Sequence, residues 1–515
     1  MNKLFDLIRD KLSSNQETNE IDKTKKCLTK DLEKNINIFA RIFNYPTNKD
    51  FIIRQIYIKS LHKVGVILYL DGMIDKKDLS NNVICPLLDK RLPEQEGRDN
   101  IDLLSQILRV NRADKINEVD KVKMELLLGN SILLIEGHAE AIAMNTVGFV
   151  HRNVEKPEVE SVVKGPKEAF VESVELNRSL IRKRLMNEKL TTEIAMVGAS
   201  SQLNLTIMYV KDIVNEELIE KVKKRISEIT TDALQNLGML EQHLEERPYS
   251  LVPTVLYTER PDRAAAFLME GHVVLLDNSP GCLILPVTFW SFFQTGEDIY
   301  QRWPYGNFIR LLRIFAFLVA LLTPSLYVAL TNFHVSMVPT DLLLSIAATR
   351  ENVPFPVIIE VLIMEISFEL IREAGIRLPT TIGPAISIVG ALILGQAAVE
   401  ANIISPILVI IVALTGLASF AIPETSTNYF IRISRFIFLI FAWFMGFVGV
   451  SAAFTMLIAY LCSIKSFDVP FFSPIAPYYP SSKDTLVRPP IWKMWLRPQF
   501  LYPKDDVRKE KPKDD

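Results

Sequence analysis

Three carboxylates, Glu365, Glu369 and Glu373, recur every four residues in an otherwise apolar stretch from Val357 to Arg377. On a helix that spacing makes one stripe, with Arg372 and Arg377 beside it and Glu360 on another face. A charge at mid-bilayer costs roughly 2.5–3.5 kcal/mol on insertion scales. The stripe must therefore meet a water-filled path, an ion partner or the membrane surface. Two readings stand side by side: a polar pore lining, or an interfacial amphipathic helix with Glu369–Arg372 and Glu373–Arg377 paired locally. Gln396, Glu400 and Asn402 form a second polar group beside a hydrophobic run.

Other chemistry is sparse. Cys27, Cys85, Cys282 and Cys462 are scattered, with no CxxC pair or Cys/His cluster, which fits free thiols in a reducing compartment and no bound metal. The histidines are isolated in sequence, and His138 and His151 read as surface or loop residues. Gly165-Pro166-Lys167 lacks the glycine spacing of a phosphate loop. The basic run Arg178, Arg182, Lys183, Arg184 could hold a phosphate or a lipid headgroup, but reads better as a solvated helix face. Nucleophile, base and metal ligands do not assemble anywhere, so the chain reads as a non-enzyme without a cofactor. A net charge of −2 argues against nucleic acid as a partner.

The elements that would position these residues fall into two halves. The first 280 residues or so are rich in charge; from Thr381 to Phe430 only Glu400 and Glu424 are charged. A crossing helix needs about 20 apolar residues. Ile314–Phe333, Ile382–Ala398 and Ile404–Ile422 qualify, Pro324 being a kink in the first. Phe436–Ile464 fits one tilted span but not two, although a hairpin at Gly446–Gly449 is conceivable. Cys282–Phe293 is too short to cross and reads as an interfacial or strand-like approach. Small residues (Gly390, Gly395, Gly446, Gly449, with Ala442 and Ala453) would let helices approach closely. Lys/Arg bias puts Arg302/Arg310/Arg313, Arg432/Arg435 and the tail on one cytosolic side. That demands a re-entrant element or an outside tail. No apolar leader opens the chain, so the later spans must drive insertion.

The soluble half repeats itself. The strand VGVILYL from Val64 is followed by Asp75 and a helical stretch; TIMYV (Thr206–Val210) is followed by Asn215 and EELIEKVKKRI. Asp75 and Asn215 both suit a helix N-cap. Asp120 to Gly129 and Asp262 to Gly271 share one spacing, each leading into an apolar strand. Glycine there fits a left-handed helix end. The expected layout is a segment 1–27, related α/β subdomains at 28–150 and 157–280 joined around Lys156–Pro166, a helical membrane domain at 281–465 and a polar tail at 466–515. The fold class is α/β (two related cytosolic subdomains) followed by an all-α polytopic membrane domain.

Several motifs resemble one family. They are Pro166-Lys-Glu-Ala-Phe-Val-Glu172 with Asn177 and Leu180–Arg184, Thr258-Glu-Arg-Pro-Asp262, Arg350-Glu351-Asn352-Val-Pro354-Phe-Pro356, Arg372–Pro379, Gly395-Gln-Ala-Ala-Val-Glu-Ala-Asn402 and Arg497–Lys504. Together they resemble the A subunit of a spore germinant receptor, the GerA family. The resemblance implies a place in the inner membrane of the spore with the N-terminal half cytosolic. It implies a B-type transporter-like subunit and a C-type lipoprotein as partners, contact with membrane lipid, and homo-oligomerisation into a nutrient-gated ion channel that starts germination. A non-channel accessory or scaffold paralogue associated with the spore dipicolinate channel is an alternative. A secondary transporter is disfavoured, because the repeat lies in the soluble half.

Overall fold

The computed structural model describes residues 27–89, 104, 107–148, 157, 160–377, 395–479 and 484–509. The segment 1–27 apart from Cys27, most of the run Ile382–Ala398, Gly390 and His151 lie outside the described residues.

The first subdomain holds α1 (Leu32–Ile42), β1 (Phe51–Ile58), β2 (Lys63–Leu70), β3 (Ala113–Ile116), α2 (Val119–Leu127), β4 (Ser131–Ile135) and β5 (Ala141–Met144). The second holds α3 (Val174–Arg184), β6 (Leu190–Val197), β7 (Leu203–Val210), α4 (Glu216–Ser227), α5 (Leu237–Leu244), β8 (Leu256–Thr258), α6 (Pro261–Leu268), β9 (Val273–Leu276) and β10 (Cys282–Leu285). The strand orders β1-β2-β4-β5-β3 and β6-β7-β9-β10-β8 are equivalent, and the paired strands are antiparallel.

The equivalence extends to single side chains. Asp75 accepts from Lys77 and Asp78 N–H, and Asn215 from Glu217 N–H, filling donors that a helix start leaves open. Gly129 and Gly271 both take positive φ, +91° and +104°. The next residues, Asn130 and His272, donate back to Glu125 and Phe267 carbonyls, closing the helix end. In both copies an asparagine, Asn35 or Asn177, exchanges hydrogen bonds with the backbone six residues earlier, at Thr29 or Val171.

β10 lies past the expected boundary at 280. Its four residues are buried in the second sheet, so Cys282–Leu285 is a central strand, not an approach to a membrane. Both faces of each sheet are covered. The face of the second sheet bearing Met208, Val274 and Ile284 is continuous with the core of the helical bundle through Phe289, Phe293 and Phe317. Sheet and bundle therefore share one apolar interior.

The bundle is α7 (Trp303–Asn332), α8 (Thr340–Arg350), α9 (Val357–Arg377), α10 (Pro406–Phe420) and α11 (Thr425–Ser463). α7 and α11 are long and apolar enough to cross a bilayer. α11 reverses at Gly446, whose φ of 55° and ψ of −135° break the helix. A Cβ at Gly449 would collide with the Phe441 carbonyl, and one at Gly446 would crowd Phe333 and His334 at the end of α7. Both ends of α11 return to the second subdomain: Glu424 lies beside Arg263, Tyr460 donates to Ser250, and Arg247 donates to the Ser463 carbonyl.

The break falls where the sequence allowed a hairpin, at Gly446, and gives α11 two arms where one tilted helix was the main expectation. The helix begins at Thr425, eleven residues before the apolar run from Phe436, because Arg432 and Arg435 are paired inside the bundle. The tail is not loose either. Arg497 donates to the Met269 carbonyl, Lys504 N–H to the Ile213 carbonyl, and Phe471 is wholly buried. The described tail therefore packs at the sheet end of the bundle.

Candidate functional site

α9 runs beside α10 and the first arm of α11 and brings the striped carboxylates against arginines of another helix. Glu365 is fully enclosed, at 0% exposure. Arg435 Nη2 stands 2.9 Å from one oxygen of Glu365 and 2.9 Å from one of Glu369. It hydrogen-bonds Glu369 only; neither Glu365 oxygen accepts a hydrogen bond among the described residues. Arg432 pairs with the other Glu369 oxygen. Arg372 lies 3.9 Å from Glu369, donates to Ser419 Oγ at 2.8 Å, and rests over the rings of Phe368 and Phe420. Two carboxylates thus face three guanidinium groups in an apolar surround, where charges persist only when paired.

The local pairing expected for Glu369 with Arg372 is therefore secondary to an interhelical one. Glu373 is exposed. A second cluster ties the start of α9 to its neighbours. Glu360 is buried and accepts from Arg350 Nη2 at 3.0 Å and from Ser405 N–H at 3.1 Å. Of the Arg350–Pro356 motif, Arg350 makes this bond, and Pro356 supplies the carbonyl that starts α9. Glu351, Asn352 and Pro354 are exposed.

Gln396 and Glu400 bond each other at an exposed position. Asn402 takes a left-handed φ of 52°, and the next residue, Ile403, donates to the Ala398 carbonyl. Asn402 is a helix end, which the structure keeps apart from Glu365. Gly395 meets Val409 at an ordinary distance, whereas Gly416, not singled out from the sequence, has the Phe368 ring where a Cβ would stand.

The basic run is also corrected. Arg178 and Arg182 are buried and bind the two oxygens of Asp50 at 2.8 and 2.7 Å; Thr192 adds a bond at 2.7 Å. Asp50 precedes β1 and the arginines lie on α3, so the set joins the two subdomains. Lys183 and Arg184 pair with Glu168. The Thr258–Asp262 motif works at the next junction. Arg260 binds the Glu160 and Pro166 carbonyls and Asp262, while Arg263 holds Glu160 and the Ser291 and Gln294 carbonyls. Apart from Arg260 with Asp262, these arginines find their carboxylates well along the chain, so sequence spacing does not reveal the pairs; only the motif residues themselves signal them.

The fold and site define a class: tandem α/β repeats fused through one core to an apolar bundle whose charges are buried in pairs. The sequence pattern of the Bacillus/Clostridium GerA spore germination protein family matches residues 37–500, and the chain belongs to that family of germinant-receptor A-type subunits. It is 40% identical over 474 residues to spore germination protein KA of Bacillus subtilis (strain 168), covering 90% of this chain and 86% of that protein. To spore germination protein GerLA of Bacillus cereus it is 35% identical over 464 residues, covering 90% and 94%. The uncharacterized membrane protein YfkQ of Bacillus subtilis (strain 168) is 38% identical over 457 residues, 88% of each chain. The N-terminal domain of the A subunit of the Bacillus megaterium spore germinant receptor GerK3 aligns at a TM-score of 0.41 and 22% identity, over 52% of this chain and 99% of that one.

Proposed function

We propose that the chain is a non-catalytic membrane subunit of a nutrient-responsive germination receptor. It sits in the inner membrane of the spore as a multi-pass protein with its α/β half in the cytosol. It works with a B-type transporter-like subunit and a C-type lipoprotein, and its copies assemble around an ion path whose opening releases cations. The observation that carries this reading is the Glu365–Glu369–Arg432–Arg435 set. It places carboxylates inside an apolar bundle, held by arginines of one neighbouring arm. Withdrawing the arm that carries Arg432 and Arg435 would free both carboxylates for cations at once, which gives opening a local physical meaning. The sharing of one core between sheet and bundle offers a route for a signal from the soluble half.

The test is nutrient-triggered cation release from spores carrying Glu365→Gln, Glu369→Gln or Glu400→Gln. The channel reading expects altered release for Glu365 and Glu369 and little change for exposed Glu400. Normal release in all three would take these carboxylates out of the path. The interhelical pairing also suits a scaffold or accessory paralogue, in which Arg432 and Arg435 only tie α11 to α9. In that case the same changes alter stability without altering the conductance of the assembled complex.

A further inference from the structure

Arg488 is buried to 1% exposure, yet its Nε and Nη1 have no acceptor among the described residues. Its position is fixed by its backbone. Its N–H donates to Asn307 Oδ1 at 2.7 Å, and its carbonyl accepts from Asn307 Nδ2 at 3.0 Å and Trp303 Nε1 at 2.6 Å. The side chain is therefore held at the foot of α7. The carboxylates there are already used. Asp298 takes Arg313 and Arg310, with Thr295 as a further donor; Asp484 takes Arg310. Among the described residues, the guanidinium groups of Arg310, Arg313 and Arg488 share the carboxylates of Asp298 and Asp484. Burial pulls the Arg488 guanidinium below its ordinary value; Asp484 and Asp298 partly offset this and Arg310 adds to it. A buried guanidinium whose Nε and Nη1 lack an acceptor among the described residues is a costly arrangement unless an anion completes it.

We infer that Arg488, backed by Arg310, receives a phosphate oxyanion, and that the headgroup of a membrane phospholipid supplies it. A guanidinium fork matches two phosphate oxygens. The surroundings favour a lipid over a free ion. Phe308 (61% exposed) and Tyr305 on the first turns of α7, and Trp492 (66% exposed) and Ile491 on the tail, present large apolar groups beside the site. Aromatic residues gather at the water–lipid boundary in this way. The oxyanion itself follows from the charge imbalance; the lipid source rests on the membrane reading above.

The experiment uses the full chain in detergent, with native mass spectrometry and melting curves. The probes are phosphatidylglycerol, diacylglycerol (which lacks phosphate) and inorganic phosphate. Wild type should retain one phosphatidylglycerol and no diacylglycerol, and Arg488→Gln should lose that retention by about tenfold or more, a difference of about 1.4 kcal/mol. The lipid should raise the melting temperature of wild type alone, and the lipid-free variant should melt no lower than wild type. Equal lipid retention by both proteins would overturn the inference, as would a lipid-free variant that melts well below wild type, since a protein acceptor must then hold Arg488. Arg488-dependent binding of inorganic phosphate, with lipid no better, would keep the oxyanion and overturn the lipid as its source. Flotation with phosphatidylglycerol vesicles reports membrane insertion separately. If both proteins float but retention ignores Arg488, this inference fails alone; if neither floats, the membrane reading fails.

Discussion

Two of the buried carboxylate–arginine sets in this molecule are built to different standards. Around Asp50 both oxygens are used, by Arg178, Arg182 and Thr192, and Arg182 is further bound by the Leu190 carbonyl and Asn48. Around Glu365 and Glu369 only Glu369 is hydrogen-bonded, and Glu365 is enclosed with a charge beside it but no donor aimed at it. The first set is a completed staple between two α/β repeats. The second can exchange partners, because part of its hydrogen-bonding capacity is unspent. Residue type alone does not separate a staple from a movable contact; the saturation of each oxygen does.

The comparison breaks first at Asp50. Asp50→Ala leaves Arg178 and Arg182 buried without a counter-charge. Stranding a buried charge this way costs about 3–5 kcal/mol. Denaturant unfolding of the full protein should show that loss, with the α/β half unfolding at lower denaturant. An unchanged midpoint would show that the staple contributes nothing. Glu369→Gln comes next. It weakens charge-assisted bonds from two arginines, each on the order of 1.5–3 kcal/mol, while Glu365 remains as a neighbouring counter-charge for Arg435. Thermal unfolding should place its cost below that of Asp50→Ala; a larger one would invert the ranking drawn from saturation.

The sequence made the repeat legible because caps and turns are local: Asp75, Asn215, Gly129 and Gly271 announce helix starts and ends through their own backbone needs. The carboxylate stripe was legible for the same reason, as a period-four pattern on one helix. Its partners were not. Arg432 and Arg435 read as markers of membrane orientation, since an arginine next to an apolar run looks the same whether it faces water or a carboxylate 63 or 66 positions away. That one ambiguity also left the first arm of α11 short, starting at Phe436 and not at Thr425. Arg178 and Arg182 read as a solvated face because Asp50 lies farther still, 128 and 132 positions away. Local chemistry is written locally; the pairing of charges is decided by the tertiary fold.

A third junction carries a pH dependence. Glu424 caps α11 against the second subdomain, and burial pushes its carboxyl up to about 8; Arg263 pulls the other way, and Glu160 and Glu241 add to the rise. Burial, with Glu245, raises Glu241 to about 7. Both folded values lie above the ordinary 4.5, so the folded state binds protons more tightly. The stabilisation is present below pH 4.5 and is lost as the pH rises toward 7 and 8. Melting temperature should therefore fall between pH 5 and 8, and Glu424→Gln should flatten that fall. An equal slope in both proteins would remove Glu424 as its source.

The smallest effect on stability is expected at Glu365, and it sharpens the comparison most. Glu365→Gln deletes a charge that accepts no hydrogen bond, so the loss of its 2.9 Å approach to Arg435 is offset by the end of its desolvation penalty. Unfolding should shift by under about 1 kcal/mol, the range of ordinary neutral hydrogen-bond changes, with Glu369 keeping Arg435 in place. On the channel reading, cation release from spores should nevertheless change, because the carboxylate freed on opening is gone. Melting the variant beside Glu369→Gln separates the cases. If Glu365→Gln unfolds as early as Glu369→Gln, Glu365 is a staple like Asp50, and the argument from unspent hydrogen-bonding capacity fails.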